Sequence, residues 1–235
     1  MSKLVPTLLQ TISISTSLIA AGGIATLTFF DVPILQSQPA SRSLPSTRWL
    51  FSRGSHVFPT AALISAAGFG VLAVQHLATP LSSMSAPLLR DPAKGVRGLV
   101  TAVGGRSWMF IAAGLLCLSI APYTSIAMIP NNFALIKKNA DKGGMRSAKA
   151  AELVSGTGTK AESYGSRSAQ ESVDGQGEGD EYGDLSGPQE RTVLDTTPAE
   201  DEEVREMLGQ FGRHNLLRAS LMAAGGMVGI VAAVM

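Results

Sequence analysis

The chain has 235 residues and almost balanced charge, with 19 Lys and Arg against 18 Asp and Glu. Hydrophobic residues make up 45% of the chain and charged residues only 16%. The charge balance gives no basic surface for nucleic acid, and the single cysteine, Cys117, excludes an intrachain disulfide.

Four stretches of the chain contain no Asp, Glu, Lys or Arg. They are Leu4–Phe30, Gly54–Leu89, Ser107–Ile136 and Ala219–Met235. Each has an apolar core of roughly 17 to 25 residues, which at about 1.5 Å per residue crosses a hydrocarbon layer of about 30 Å. Backbone groups in lipid must pair within their own segment, so each stretch is predicted to be a helix. The predicted fold class is all-α: a four-helix transmembrane bundle.

The first two predicted spans, from about Leu8 to Phe30 and from about Val57 to Ala78, carry rows of small residues. The rows are Ser17, Ala21 and Ala25 in span one, and Ala62, Ala66 and Gly70 in span two; span four has Gly225 and Gly229. Membrane helices associate through close backbone approach at such rows. The pattern therefore predicts a tightly packed bundle.

The third predicted span, Trp108 to Ile129, contains a proline in its interior. Pro122 removes one helical hydrogen bond and is expected to kink the helix near Leu118. Pro130 is expected to end the helix, with Asn131 and Asn132 at the membrane interface.

Three regions are predicted along the chain: spans one to three in residues 1–138, a disordered polar and acidic loop in residues 139–197, and an amphipathic helix leading into span four in residues 198–235. The loop is rich in Gly, Ser, Asp and Glu and poor in apolar residues. Thr197, Pro198 and Glu200 fit a capping box, and Val204, Leu208 and Phe211 form an apolar stripe in the helix that follows.

Alternating span direction places polar residues from all four spans on one membrane face. They are Asp31, Arg53, His56, Asn131, Asn132, His214, Asn215 and Arg218. Polar groups at membrane depth are costly and often functional, so this cluster is the predicted site. Asp31 and Arg53 also fit simple boundary charges, and His56 fits a helix cap. Basic residues near the span ends predict that the cluster faces the cytosol and both termini face the lumen, in the endoplasmic reticulum or another endomembrane.

Four motifs, one at each span, carry a resemblance to a known family. They are Val32-Pro33-Ile34-Leu35, Phe51-x-x-Gly54-x4-Pro59, Ser119-Ile120-x-Pro122-Tyr123-Thr124-x3-Met128-x-Pro130-Asn131-Asn132-x2-Leu135, and Phe211-x3-Asn215-x2-Arg218. Together they resemble a family of small fungal and bacterial membrane proteins. Its characterised fungal members are anthrone oxygenases of aromatic polyketide pathways. The third motif is the most specific.

The resemblance implies that O₂ oxidises an anthrone to an anthraquinone without metal or organic cofactor. Its partners would be an aromatic polyketide, O₂ and the lipid bilayer, with a homo-oligomer or pathway-enzyme contacts possible and no nucleic acid. We assign the catalytic base to His56, with Asp31 in reserve, because histidine is the side chain that titrates nearest neutrality. Tyr123 is assigned to stack on or hydrogen-bond the substrate. Substrate-binding donors are assigned to Arg53, Asn131, Asn132, Asn215 and Arg218.

A second hypothesis comes from another class of protein. A non-catalytic four-span scaffold would recruit soluble pathway enzymes through the acidic loop. A transporter is less favoured because no charged residue lies in the middle of a predicted span.

Overall fold

The computed structural model describes residues 4–83, 105–156, 168–175 and 177–235. Every regular element in these ranges is a helix. Four helices are long and apolar enough to cross a membrane: Leu4–Gln36, Ala40–Leu77, Gly105–Asp141 and Pro198–Val234. The prediction of an all-α membrane protein with four spans, and with a loop between spans three and four, is confirmed.

The spanning helices are built from shorter elements. The first consists of α1 (Leu4–Thr26), a first π turn (Leu27–Asp31) and α2 (Val32–Gln36), and the second is α3 (Ala40–Ser83). The third consists of α4 (Gly105–Leu118), α5 (Ile120–Tyr123), a second π turn (Thr124–Met128) and α6 (Ile129–Asp141). Two short helices, α7 (Ala148–Gly156) and α8 (Ala169–Asp174), precede the fourth spanning helix, α9 (Pro198–Val234).

Prolines account for the irregular turns. The third spanning helix is interrupted at Ser119, three residues before Pro122, where the sequence predicts a kink. In the two π turns the backbone N–H of Val32 bonds Leu27 O and that of Ile129 bonds Thr124 O, five residues back. The next residue in each case is a proline, which has no N–H to donate. The hydrogen-bond ladder therefore shifts by one residue in front of each proline.

The described chain divides into two compact units, and all four spanning helices contribute to both. The first unit comprises the residues up to Gly23, Pro59–Pro122 and Arg218–Met235, as far as the structure describes them. The second comprises Ile24–Phe58 and the described part of Tyr123–Leu217.

Glycine lets helices approach closely in the first unit. A Cβ on Gly225 would lie 2.7 Å from Cys117 Sγ and 3.0 Å from Ala113 O, and one on Gly229 would lie 2.6 Å from the ring of Phe69. Gly70, in the predicted small-residue row, has nothing within 4 Å of such an atom. The glycines of span four thus lie at close helix–helix contacts, whereas Gly70 does not.

An apolar cluster forms one core of the second unit. Its buried members are Leu35, Ala40, Leu44, Leu135, Val204 and Leu208. Helix α9 begins at a reciprocal cap: Thr197 N donates to Glu200 Oε2 at 2.7 Å, and Glu200 N donates to Thr197 Oγ1 at 3.3 Å.

Part of the loop after the third spanning helix has an ordered structure that its composition does not predict. Arg146, only 4% exposed, donates to Glu178 O at 2.8 Å and Gly179 O at 2.7 Å. Met145 packs with Ala150 and Val154 of α7 in a small apolar cluster. Buried polar contacts, more than apolar area, organise this segment. The predicted disorder of residues 157–167 lies outside the described residues.

Candidate functional site

A tyrosine and a histidine from two spanning helices meet in the second unit. Tyr123 ends α5, directly after Pro122, and its Oη lies 2.6 Å from Nδ1 of His214 on α9. The ring centroids are 5.8 Å apart. A phenol and an imidazole at this distance can exchange a proton, which makes the pair a candidate acid–base centre.

Tyr123 packs against an apolar cluster, which we name the apolar wall. Buried Val32, Met128 and Phe211 form a cluster against which Leu27, Phe51 and Tyr123 pack. The rings of Phe51 and Phe211 meet edge to face, with centroids 5.0 Å apart. Two members, Leu27 and Met128, come from the two π turns, so the irregular turns of both helices contribute to one aromatic and aliphatic wall. Single π turns inside helices occur frequently at functional sites.

Three amide side chains of the second unit differ in their hydrogen bonds. Asn131 Nδ2 donates to Met207 O on α9 at 3.2 Å. Asn215 is fully buried, and its Nδ2 donates to Phe211 O at 3.0 Å. The buried Oδ1 of Asn132 has no hydrogen-bond partner among the described residues. A buried amide oxygen without a partner is costly, so Asn132 is a candidate acceptor for a ligand donor.

Asp31 ends the first π turn and is half-buried. In the same turn, Thr28 Oγ1 donates to Gly212 O on α9 at 2.9 Å. This bond fixes the turn that carries Asp31 against the helix that carries His214.

Arg53 and His56 contact the loop. His56 Nε2 lies 3.5 Å from Glu181 Oε1, and the His56 ring lies 4.7 Å from the ring of Tyr182. Arg53 donates to Asp184 O, and its guanidinium lies 5.5 Å from the Trp49 ring. These two predicted site residues therefore dock residues 181–186, which we name the loop tip, onto α3.

Asp184 anchors the loop tip. Burial by itself raises the pKa of its carboxyl group. Hydrogen bonds from Ser147 and Ser186 and the positive charge of Arg53 outweigh that cost and lower the pKa to about 2. Asp184 is therefore ionised throughout the physiological range and holds its network together.

The structure divides the predicted site residues into groups. Tyr123 and Asn131 contact α9, which itself carries Asn215, whereas Arg53 and His56 lie against the loop tip. Arg218 is buried and belongs to the first unit. Sequence reasoning included His214 in the polar cluster but gave it no role; its distance of 91 positions from Tyr123 hides the pair.

A small cavity lies elsewhere in the second unit. It measures about 100 Å³ and is lined by Leu44, Lys138, Asp141, Lys142, Thr196, Glu200 and Val204. Lys138 pairs with Glu203 at 2.7 Å and Lys142 with Glu200 at 2.6 Å. Ligand pockets usually measure about 300–1,000 Å³. This cavity is smaller and its two lysines are already in ion pairs, so it is not our candidate site.

No group of three or more His, Cys, Asp and Glu side chains in the described ranges is arranged to hold a metal ion. Two side-chain pairs of the second unit could transfer a proton, namely Tyr123 with His214 and Glu181 with His56. By fold and site the chain is a four-span membrane protein with polar groups gathered in one unit of its helices.

Comparison with known proteins shows one similarity. The family model described as anthrone oxygenase matches residues 48–160. An anthrone oxygenase of Claviceps purpurea (strain 20.1) is 28% identical over 156 residues, which cover 63% of this chain and 75% of that protein. No solved structure matches. Over these residues the chain is similar to the anthrone oxygenase family.

Proposed function

We propose that this protein is an oxygenase that converts an anthrone to an anthraquinone with O₂, using no metal or organic cofactor. Similarity to the anthrone oxygenase family and to one named anthrone oxygenase supports the class of reaction. The hydrogen bond between Tyr123 and His214, beside an aromatic wall, is the observation that carries the proposed mechanism.

The reaction needs a base more than an electron carrier. The methylene of an anthrone is acidic because its carbanion is delocalised over the phenolate-like ring system. That anion gives one electron to O₂, and the two radicals combine to a peroxide. Loss of the second C–H proton with cleavage of the O–O bond gives the quinone carbonyl and water. The balance is one CH₂ and one O₂ in, one C=O and one H₂O out.

Tyr123 and His214 supply the proton transfers in this proposal. Tyr123 accepts the methylene proton as its own phenolic proton moves to His214 Nδ1, 2.6 Å away. The imidazolium then returns a proton to the peroxide. Proton transfer by a positioned group typically contributes about 100- to 10,000-fold to rate.

The apolar wall would hold the flat substrate and exclude water. Phe51 and Phe211 offer ring edges and faces, and the buried Oδ1 of Asn132 offers an acceptor for a ring hydroxyl. We keep Asn131 and Asn215 as proposed donors for the oxyanion, and Asp31 as the reserve base. Arg53 engages the loop tip and Arg218 belongs to the first unit, so neither is part of this proposal. Preorganised donors aimed at the developing oxyanion are commonly the largest single contribution to catalysis.

His56 and His214 are now rival candidates for the base. The sequence favours His56, but its Nε2 lies 3.5 Å from Glu181, while His214 contacts the tyrosine of the apolar wall. The geometry therefore favours His214.

The scaffold hypothesis also remains a proposal. It requires the loop to be available to soluble enzymes, and the docking of the loop tip by Arg53 and Trp49 withdraws part of it from that role. We further propose that the second unit faces the cytosol in an endomembrane, as the basic residues near the span ends predict.

The proposed function is tested by adding emodin anthrone to membranes that contain the protein and following quinone absorbance above the spontaneous rate. The wild type should exceed that background, and Tyr123→Phe should lose most of the excess. Tyr182→Phe is the matched control, since its hydroxyl lies in the loop tip, and it should keep wild-type turnover. Equal rates in membranes with and without the protein would refute the oxygenase proposal.

A further inference from the structure

The loop tip presents two large side chains to its surroundings. Leu185 is 91% exposed and Tyr182 is 78% exposed. Asp184, which lies between them in the sequence, is only 3% exposed, so the loop tip is not uniformly in solvent. One face of the tip is buried in polar contacts and the other is apolar and aromatic.

Hydrogen bonds fix this orientation. Ser147 Oγ and the backbone N–H of Ser186 both donate to the carboxylate of Asp184. Trp49 Nε1 donates to Ser186 O at 2.9 Å. Leu185 stands between two anchored residues, and its exposure is therefore imposed by the fold.

The anchoring residues also place the tip along α3. Trp49 and Arg53 lie just before the stretch without Asp, Glu, Lys or Arg that runs from Gly54 to Leu89, and His56 lies at its start. The side chain of Val57, next to His56, is already 59% exposed, as expected where a helix meets lipid. Trp and Tyr are enriched at this depth, where the ring lies among lipid headgroups. The tip is thus level with the start of a membrane span.

Charge does not oppose contact with lipid. Glu181 is engaged by Ser52, His56 and Arg146, and Asp184 by Ser147 and Ser186. The acidic groups of the tip are turned toward the protein, whereas its outward side chains are the tyrosine and the leucine.

We propose that the loop tip is a membrane anchor whose Tyr182 and Leu185 insert into the headgroup region of the bilayer beside α3. The partner is the lipid surface itself. Tyr182 supplies an amphipathic ring and Leu185 an apolar side chain that gains by leaving water. The inference stands on the geometry of the tip and is independent of the proposed reaction.

Nitroxide accessibility tests the anchor in the full-length protein in phosphatidylcholine nanodiscs. A spin label is attached at Leu185→Cys in a Cys117→Ala background, and its relaxation by O₂, which concentrates in lipid, is compared with that by water-soluble Ni(II)EDDA. Val57→Cys is the lipid-facing reference. Glu190→Cys, whose native side chain is 86% exposed in the same loop, is the water-facing reference.

The label at position 185 should be relaxed more by O₂ than by Ni(II)EDDA, as at position 57, with the opposite order at position 190. A label at Tyr182→Cys should give the same result and guards against a local effect of one substitution. Ni(II)EDDA relaxation at 185 equal to that at 190 would overturn the proposal. Protection from both reagents would overturn it as well, because it would mean that protein covers the tip.

Discussion

The two units of this protein use the same four spanning helices for different purposes. The described residues of the first unit contain no Asp or Glu, and its helices approach one another through glycines such as Gly225 and Gly229. The second unit contains both π turns, the Tyr–His pair and the anchored loop tip. A spanning helix thus packs through small residues in one part of its length and carries polar side chains in another.

This difference follows from what each unit can satisfy. Regular apolar helix needs only close packing, which small residues supply. Polar side chains and shifted hydrogen-bond ladders need local partners, and the second unit supplies them through the caps, amides and loop contacts described above. Variants matched across the two units test the division.

The largest effect is expected at the histidines. His214→Ala should lower quinone formation by about 100- to 10,000-fold, because proton transfer to and from Tyr123 is lost. His76→Ala, the matched change in the first unit, should keep wild-type turnover. His56→Ala decides between the rival bases in the same absorbance assay. A loss with His56→Ala and not with His214→Ala would restore the base that the sequence favours.

Glycine substitutions should separate the units by stability. Gly225→Ala should lower the free energy of unfolding by about 1–3 kcal/mol, because its Cβ would overlap Cys117 and Ala113. Gly212→Ala in the second unit should be tolerated, since its Cβ would meet Val32 at 3.4 Å, an ordinary contact. Thermal unfolding in one detergent, monitored by circular dichroism, compares the two. Equal losses would mean that tight helix approach is not confined to the first unit.

Acid should release the loop tip without disturbing the first unit. The pKa of Asp184 is 3.8 without its partners and about 2 with them, so its contribution is complete above pH 3.8. That contribution is lost as pH falls toward 2. Fluorescence of Trp49, measured in a Trp108→Phe variant, should change over this range, and that of Trp108 in Trp49→Phe should not. Asp184→Asn should remove the pH dependence; its persistence would assign it to another group.

The smallest effect is expected at the aromatic pairs. Phe51→Leu removes the edge-to-face contact with Phe211, worth about 0.5–1.5 kcal/mol, and should raise the KM for an anthrone with little change in kcat. Phe110→Leu disturbs the ring pair with Phe69 in the first unit and should leave KM unchanged. A kcat effect of Phe51→Leu alone would argue that Phe51 orients Tyr123 and does not bind substrate.

The spans and the start of α9 could be predicted because their signals are local. A run without charged residues defines a span wherever it packs, and the Thr197 and Glu200 cap needs only residues three apart. The π turns were not predicted. A proline predicts a lost hydrogen bond, but whether the helix is interrupted, as at Ser119, or its hydrogen bonds shift by one residue, as before Pro33 and Pro130, depends on packing.

The candidate site was predicted only in part. Chain topology predicts that polar residues lie at one end of the spans. Which of them meet depends on the rotation of each helix about its own axis, and composition does not specify that rotation. Tyr123 and His214 are found together only in three dimensions. The order of the loop tip was missed for a related reason. Arg53 and Asp184 are 131 positions apart, and a sparse apolar content gives no sign of such polar contacts.

The π turns also set which face of the helix each later side chain occupies. A π turn closes its hydrogen bond across five residues, one more than an α turn. Each residue rotates an α-helix by about 100°, so the extra residue changes which face the later side chains occupy. Deleting a single residue within Thr124–Met128 would restore a regular ladder and turn every later side chain of that helix, including Asn131 and Asn132, onto another face. The protein would keep its four spans and lose the alignment of its polar groups. The one extra residue of the π turn therefore determines which side chains face the candidate site, whether or not it contacts the site itself.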